Sequence, residues 1–294
     1  MAGDTGLDLI TGAFSFTGRA IAARLLESGR AVKTLTAHPD RPNPLAGPIE
    51  AAPYTFDEPE RLAQVMEGVT NFYNTYWVRF ERGRATFAQA VRNSRTLFEA
   101  AREAGVRRIV HISIAKADAA PTLPYYRGKA QAERELASVG VAYSVVRPAL
   151  VYGHGDVLVN NLAWLLRRLP VFAIPGSGGY GVRPVHVDDV ARLCVEAAAG
   201  EGNGTVDAVG PETFTFRYWV ALVRDAVGAR SWLVQVPAPL VSPLTGVIGR
   251  VLGDVLLTRD ELEGLMAGLV TTDGPATGRI VFSDWLAEHA SEVG

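Results

Sequence analysis

Over the first 150 residues, short apolar runs alternate with segments of helical periodicity. Few folds accept that alternation. Leu7–Thr11, Ala31–Thr36, Ile49–Thr55, Asn71–Thr75, Arg108–Ser113 and Val141–Val146 read as strands. Between them Thr17–Ser28, Glu58–Met66, Arg84–Ala104 and Tyr125–Val139 read as helices, with Pro59 near the start of one and Gly105 at the end of another. Apolar strands joined through helices must be covered on both faces, which predicts βαβ units and a parallel sheet. Right-handed crossovers then favour an α/β protein with a doubly wound parallel sheet.

After Pro148 the pattern changes. Pro and Gly become frequent in "RPALVYGHGD", "LPVFAIPGSGGYGVRP" and "VPAPLVSPLTG". The expected organisation is a core over 1–150 and a smaller C-terminal, substrate-binding lobe over 151–294, with a segment near 182–200 returning to the core. No internal repeat or low-complexity tract is visible.

Bulk composition narrows the function classes. A formal net charge of −2 gives no electrostatic argument for nucleic acid. The single cysteine, Cys194, cannot form an internal disulfide, and it sits in an apolar helical pattern. The five histidines, 38, 111, 154, 186 and 289, lack metal-ligand spacing, so no metal site is expected. No basic segment precedes an apolar run at the N-terminus. The apolar stretch 233–257 is broken by Pro237, Pro239, Pro243, Gly246, Gly249 and Arg250, a poor membrane span. A cytoplasmic protein with no integral membrane span is the expectation.

The segment "DLITGAFSFTGRAIAARLLESG" joins a strand end to a helix through Gly12 and Gly18. That context turns a weak glycine match into a dinucleotide loop. Gly12 makes the tight turn and Gly18 lets helix and strand approach. The amides from Gly12 through Phe14, Ser15, Phe16 and Thr17 face a diphosphate at the positive end of the helix. Ser15 stands where such loops often have a middle glycine. After the second strand, "AVKTLTAHPDR" offers His38 and Arg41 and no acid before Asp40. That favours NADP over NAD, whose ribose is usually held by an acidic residue.

In "HISIAKADAAPTLPYYRGK", Tyr125 and Lys129 are spaced to share a helix face, and Ser113 ends the fifth strand. Tyrosine, with a pKa near 10, is a poor acid–base group at neutral pH, and a neighbouring ammonium lowers that value. A serine hydroxyl can hold a carbonyl against it. The set suits carbonyl reduction by a nicotinamide hydride.

Through "TGAFSFTG", "HISIA", "YYRGK", "VRPALVYG" and "PVHVDDVA" the chain resembles the short-chain dehydrogenase/reductase superfamily, in its extended or atypical branch, NmrA-like and epimerase/dehydratase-like. The resemblance implies a Rossmann fold, Tyr125 as general acid/base, Lys129 on the nicotinamide ribose and Ser113 on the substrate carbonyl. It implies cofactor contacts from Asp57, Asn74 and Pro148, structural roles for His186 and Asp188, and a homodimer through helices such as 84–104 and 125–139. In two respects the chain departs from the family, at Ser15 and at Ala37, where the family has an arginine after the second strand. Near the sheet edge, Tyr76, Trp77, Tyr152, Asn161 and Trp164 are the candidates to line a pocket for an apolar or ring-bearing small molecule. Asn161, Arg167 and Arg183 are the groups that could hold a diphosphate. Three readings stand: an NAD(P)(H)-dependent oxidoreductase, an epimerase or dehydratase of a sugar-type substrate that retains NAD, and a non-catalytic NADP sensor.

Overall fold

The computed structural model describes residues 6–43, 45, 48–237 and 259–294. The strands are β1 (Leu7–Thr11), β2 (Ala31–Thr36), β3 (Ile49–Pro53), β4 (Val69–Asn74), β5 (Arg108–Ile112), β6 (Ala142–Pro148), β7 (Leu150–Tyr152), β8 (Val171–Pro175), β9 (Gly181–Val182), β10 (Pro184–His186), β11 (Gly204–Ala208), β12 (Phe214–Thr215) and β13 (Trp232–Val236). The helices are α1 (Phe16–Glu27), α2 (Pro59–Val65), α3 (Phe87–Glu103), α4 (Pro124–Ser138), α5 (Val157–Arg168), α6 (Val187–Ala199), α7 (Phe216–Ala226), α8 (Arg259–Met266) and α9 (Phe282–His289). Two compact units result: Met1–Pro148 with Val187–Asp207, and Ala149–His186 with Ala208–Gly294.

The first unit is a Rossmann-type α/β structure around a seven-stranded sheet of order β11-β6-β5-β4-β1-β2-β3. The strands β1 to β6 pair in parallel throughout. β1 has β2 on one side and β4 on the other, so the winding reverses there, the kind of switch point at whose carboxyl edge open α/β sheets bind ligands. The apolar runs explain the core: Leu9, Leu35, Phe72, Ile109 and Val145 from the strands pack with Leu62, Leu97, Phe98 and Leu136 from the helices. At the amino end the carboxylate of Asp8, fully buried, pairs with Arg30 and accepts from Asn71 Nδ2 at 2.9 Å. Asn71 Oδ1 accepts in turn from Arg107 at 2.6 Å. A buried charge needs such partners, and these pin β1 to β4.

Element boundaries differ from the sequence expectation for local reasons. The helix expected from Arg84 starts at Phe87, because Thr86 caps it by accepting from the Gln89 amide at 3.1 Å. β6 runs on to Pro148, past the expected Val146. The seventh strand, β11, was not anticipated. Its "GTVDA" is too short and polar to carry a strand period. Of the apolar stretch 233–257, Leu233–Val236 belongs to β13, and 238–257 lies outside the described residues.

Among the described residues, the second unit has three two-stranded sheets, β10-β7, β12-β9 and β13-β8. Its core gathers Tyr152, Val159, Leu166, Trp219, Phe282 and Trp285. Arg183, only 7% exposed, ties three chain segments together. Its guanidinium donates to the carbonyls of Gly210 (2.8 Å), Thr272 (3.0 Å) and Gly274 (2.6 Å). Replacing it with Met leaves those carbonyls without their donor. Arg183→Met is expected to lose at least about 3 kcal/mol of stability, since it removes three hydrogen bonds from a charged donor, a kind that contributes ~1.5–3 kcal/mol each and is not fully additive. Chemical denaturation of both proteins measures this, and an unchanged midpoint would refute the role.

Candidate active site

The site begins at the β1–α1 turn. Gly12 adopts φ +68°, a left-handed conformation that favours glycine. Its carbonyl accepts from the Ser15 amide (2.9 Å) and from Ser15 Oγ (2.6 Å). Gly18 packs on the same carbonyl so closely that a Cβ there would stand 2.1 Å from Gly12 O. Ser15 itself has φ −95°, so glycine is not required at the middle position. It occupies the N-cap of α1, yet its hydroxyl caps none of the helix amides, being turned to Gly12. The N-cap side chain therefore serves none of the first-turn amides, and such a helix N-terminus with a glycine-tight turn fits a diphosphate. Thr34 fixes the turn from β2, accepting from the Ala13 amide at 3.0 Å and donating to Ile10 O at 2.9 Å.

Around this loop the sequence candidates take different places. His38 and Arg41 are exposed in the turn after β2, the strand whose Leu35 carbonyl accepts from the Gly12 amide. Asp57 is exposed in the turn after β3. Asn74 is fully buried, its Nδ2 donates to His111 Nδ1 at 3.0 Å, and its Oδ1 accepts from Thr11 Oγ1 at 3.2 Å. It links β1, β4 and β5. Thr11 Oγ1 also accepts from the amides of Thr75 (2.7 Å) and Tyr76 (2.9 Å), so this network holds the segment after β4. Burial, with the charge of Lys129, lowers the His111 pKa to about 3, so the ring is neutral.

The proposed catalytic residues share the first unit. Ser113 follows β5, its amide bound to Val146 O at 2.8 Å, and its buried hydroxyl has no partner among the described residues. Tyr125 and Lys129 lie one turn apart on α4, which Pro124 opens. Lys129 Nζ donates to the carbonyl of Ile112, the residue before Ser113, at 3.0 Å. Burial lowers its pKa to about 7, against the opposing charge of Glu133. Tyr125 is half-buried, its ring edge-on to Phe87 (5.5 Å) and Trp77 (6.3 Å). Pro148 is buried at the end of β6, and its carbonyl accepts from Ala115 N at 2.8 Å.

Among the pocket candidates, Trp77 lies against Lys129, with Nζ 4.5 Å from the ring centroid. Tyr76 turns towards Tyr54 and Phe56, and its hydroxyl accepts from Asn93 at 2.7 Å. Tyr152 belongs to the second unit. It is fully buried in the core, donates to Ile280 O at 3.2 Å and meets Phe282 edge-on at 4.8 Å. Asn161 and Trp164 are half-buried on α5, with the Arg168 guanidinium 4.2 Å from the Trp164 ring centroid. The arginines weighed for a diphosphate are committed elsewhere, Arg183 as above and Arg167 to the carbonyls of Val293 and Ala290. Sequence reasoning missed Thr11, Thr34, Phe87 and His111. Thr11 and His111 lie inside the quoted motifs, whereas nothing local marks Phe87. Among the described residues no cluster of three or more potential metal ligands occurs, and no helix is long and apolar enough to cross a membrane.

Comparison with known proteins agrees with this architecture. A family model described as NAD(P)H-binding matches residues 12–201. The mitochondrial NADH-ubiquinone oxidoreductase 40 kDa subunit of Neurospora crassa is 27% identical over 177 residues, 59% of this chain and 46% of that protein, so the chain spans under half of that relative. The ceramide reductase of Caulobacter vibrioides is 28% identical over 243 residues, 80% of this chain and 74% of that protein. Among solved structures, the NADPH-dependent quinone oxidoreductase of Escherichia coli complexed with NADPH superposes with a TM-score of 0.77 at 21% identity, covering 97% of this chain and 98% of that one. The chain belongs to the NAD(P)H-binding family.

Proposed function

We propose that the chain is an NAD(P)(H)-dependent oxidoreductase that interconverts a carbonyl and a hydroxyl on a small, apolar or ring-bearing substrate. The observation that carries this reading is the convergence at the end of β5. Lys129 Nζ sits on the carbonyl of Ile112, the next residue is Ser113, whose hydroxyl has no partner among the described residues, and Tyr125 is one helical turn before Lys129.

The bound nicotinamide supplies or accepts the hydride. Ser113 Oγ donates to the substrate oxygen and orients it. Tyr125 Oη delivers the proton to that oxygen in reduction and takes it in oxidation. Lys129, as an ammonium, holds the nicotinamide ribose and favours the tyrosinate. The start of α1 holds the diphosphate, and His38 and Arg41 make NADP the preferred cofactor. Asp57, on the turn after β3, contacts the adenine, and Pro148 borders the nicotinamide. The names of the ceramide reductase and the quinone oxidoreductase support a reductase. The commitment of Arg167 and Arg183 to backbone carbonyls speaks against a nucleotide-sugar epimerase.

Reduced-nicotinamide absorbance, followed with a panel of ketones, aldehydes and quinones, tests the reading. Tyr125→Phe is expected to lose about 10²- to 10⁴-fold in rate, the usual contribution of general acid catalysis, with NADPH affinity retained. A variant as active as wild type would overturn the assignment, as would cofactor binding without turnover of any acceptor. Lys129 adds a pH dependence. Its folded pKa, lowered to about 7, means the ammonium is lost as pH rises through that value. The dissociation constant for NADPH is therefore expected to rise up to about tenfold per unit above pH 7, and Lys129→Met should flatten the profile. His111, already neutral, contributes nothing in that range. A wild-type profile as flat as that of Lys129→Met would contradict the role.

A further inference from the structure

The ammonium that this reading assigns to the cofactor is covered. Lys129 is only 4% exposed, and an indole lies against its Nζ. Three neighbours seat that indole. Phe87 lies parallel to it at 6.3 Å, Tyr125 meets it edge-on at 6.3 Å, and α4 presses on it at Gly128, where a Cβ would come within 3.1 Å of Trp77 Cζ2. The seat is incomplete in one respect: Trp77 Nε1 is buried and has no acceptor among the described residues. The backbone just before Trp77 is tethered, through the amides of Thr75 and Tyr76 on Thr11 Oγ1. The side chain can therefore turn without displacing the segment that carries it.

We infer that Trp77 is a positioning residue for Lys129: its indole holds the ammonium on the Ile112 carbonyl and shields it from water, and turns aside to release it when the cofactor binds. The inference rests on the proposed role of Lys129 at the nicotinamide ribose. A cation held against an aromatic face gains a modest attraction that binding must replace, so the cover weakens cofactor affinity while keeping the site assembled. The groups facing Nζ are the Ile112 carbonyl, the Trp77 ring, and the charge of Glu133 on the same helix, itself paired with Arg147. His111 faces it from β5 as a neutral ring.

Trp77 is the single tryptophan of the first unit, since residues 164, 219, 232 and 285 all lie in the second. The emission of wild type minus that of Trp77→Phe therefore isolates its signal. The probe is NADP⁺, which does not absorb at the indole emission, and affinity is read by calorimetry. Saturation with NADP⁺ is expected to red-shift the Trp77 emission as the indole leaves its seat. Trp77→Leu should bind NADP⁺ about 3- to 10-fold more tightly than wild type, and Trp77→Phe, which keeps a ring face, should stay within about twofold. A Trp77 emission unmoved at saturation would overturn the inference, and this holds even if the Leu variant folds poorly. So would weaker binding by a folded Trp77→Leu. If wild type binds NADP⁺, Lys129→Met weakens that binding and Trp77 stays silent, this inference alone fails. If wild type binds neither NADP⁺ nor NAD⁺, the proposed function fails with it.

Discussion

One backbone carbonyl organises the first βα turn. Gly12 O accepts from both the amide and the hydroxyl of Ser15, and Gly18 packs against it at a distance no side chain could share. Three consequences follow. The chain reverses tightly enough to send α1 back along the sheet. The Ser15 hydroxyl is consumed, so it serves none of the amides at the start of α1. The turn is held rigid at the one point where the sheet's winding changes direction, with Thr34 bracing it from β2. A phosphate-binding loop depends on amides whose positions are fixed before the ligand arrives, and this turn fixes them.

The neighbouring strand ends are fixed by a second set of buried contacts. Thr11, Asn74 and His111 link β1, β4 and β5, and Thr11 carries the backbone that leads to Trp77. Above them Lys129 is held on Ile112 O. The same burial that makes His111 a neutral structural ring brings the lysine close to neutrality at physiological pH.

Much of this was legible in the sequence where the determinants are local. Strand β1, the glycine turn and α1 follow each other within one short segment, and Tyr125 and Lys129 sit at a helical spacing that α4 realises. Two strand-end residues show what was not legible. Asn74 and Tyr152 stand at strand ends, where a polar or aromatic residue suggests a ligand, but both side chains point into the core. One residue of register decides that, and an end position does not reveal it. Arg183 looked like an anion contact because its true acceptors, the carbonyls of residues 210, 272 and 274, are far away in sequence. The packing of Trp77 on Phe87 and Gly128 is likewise non-local. Ser15 is the opposite case: it departs from the expected glycine, yet its ordinary φ shows why the fold tolerates it.

The central claim is that the Gly12–Gly18 turn holds a dinucleotide. Calorimetric titration of NADPH and NADH into wild type and Gly12→Val tests it most directly. A β-branched residue cannot adopt φ +68° without strain, and its Cβ would stand 3.0 Å from Ser15 Oγ. Wild type is expected to bind, with NADPH the tighter ligand, and the variant to remain folded and lose binding. Equal affinity in the two proteins would contradict it.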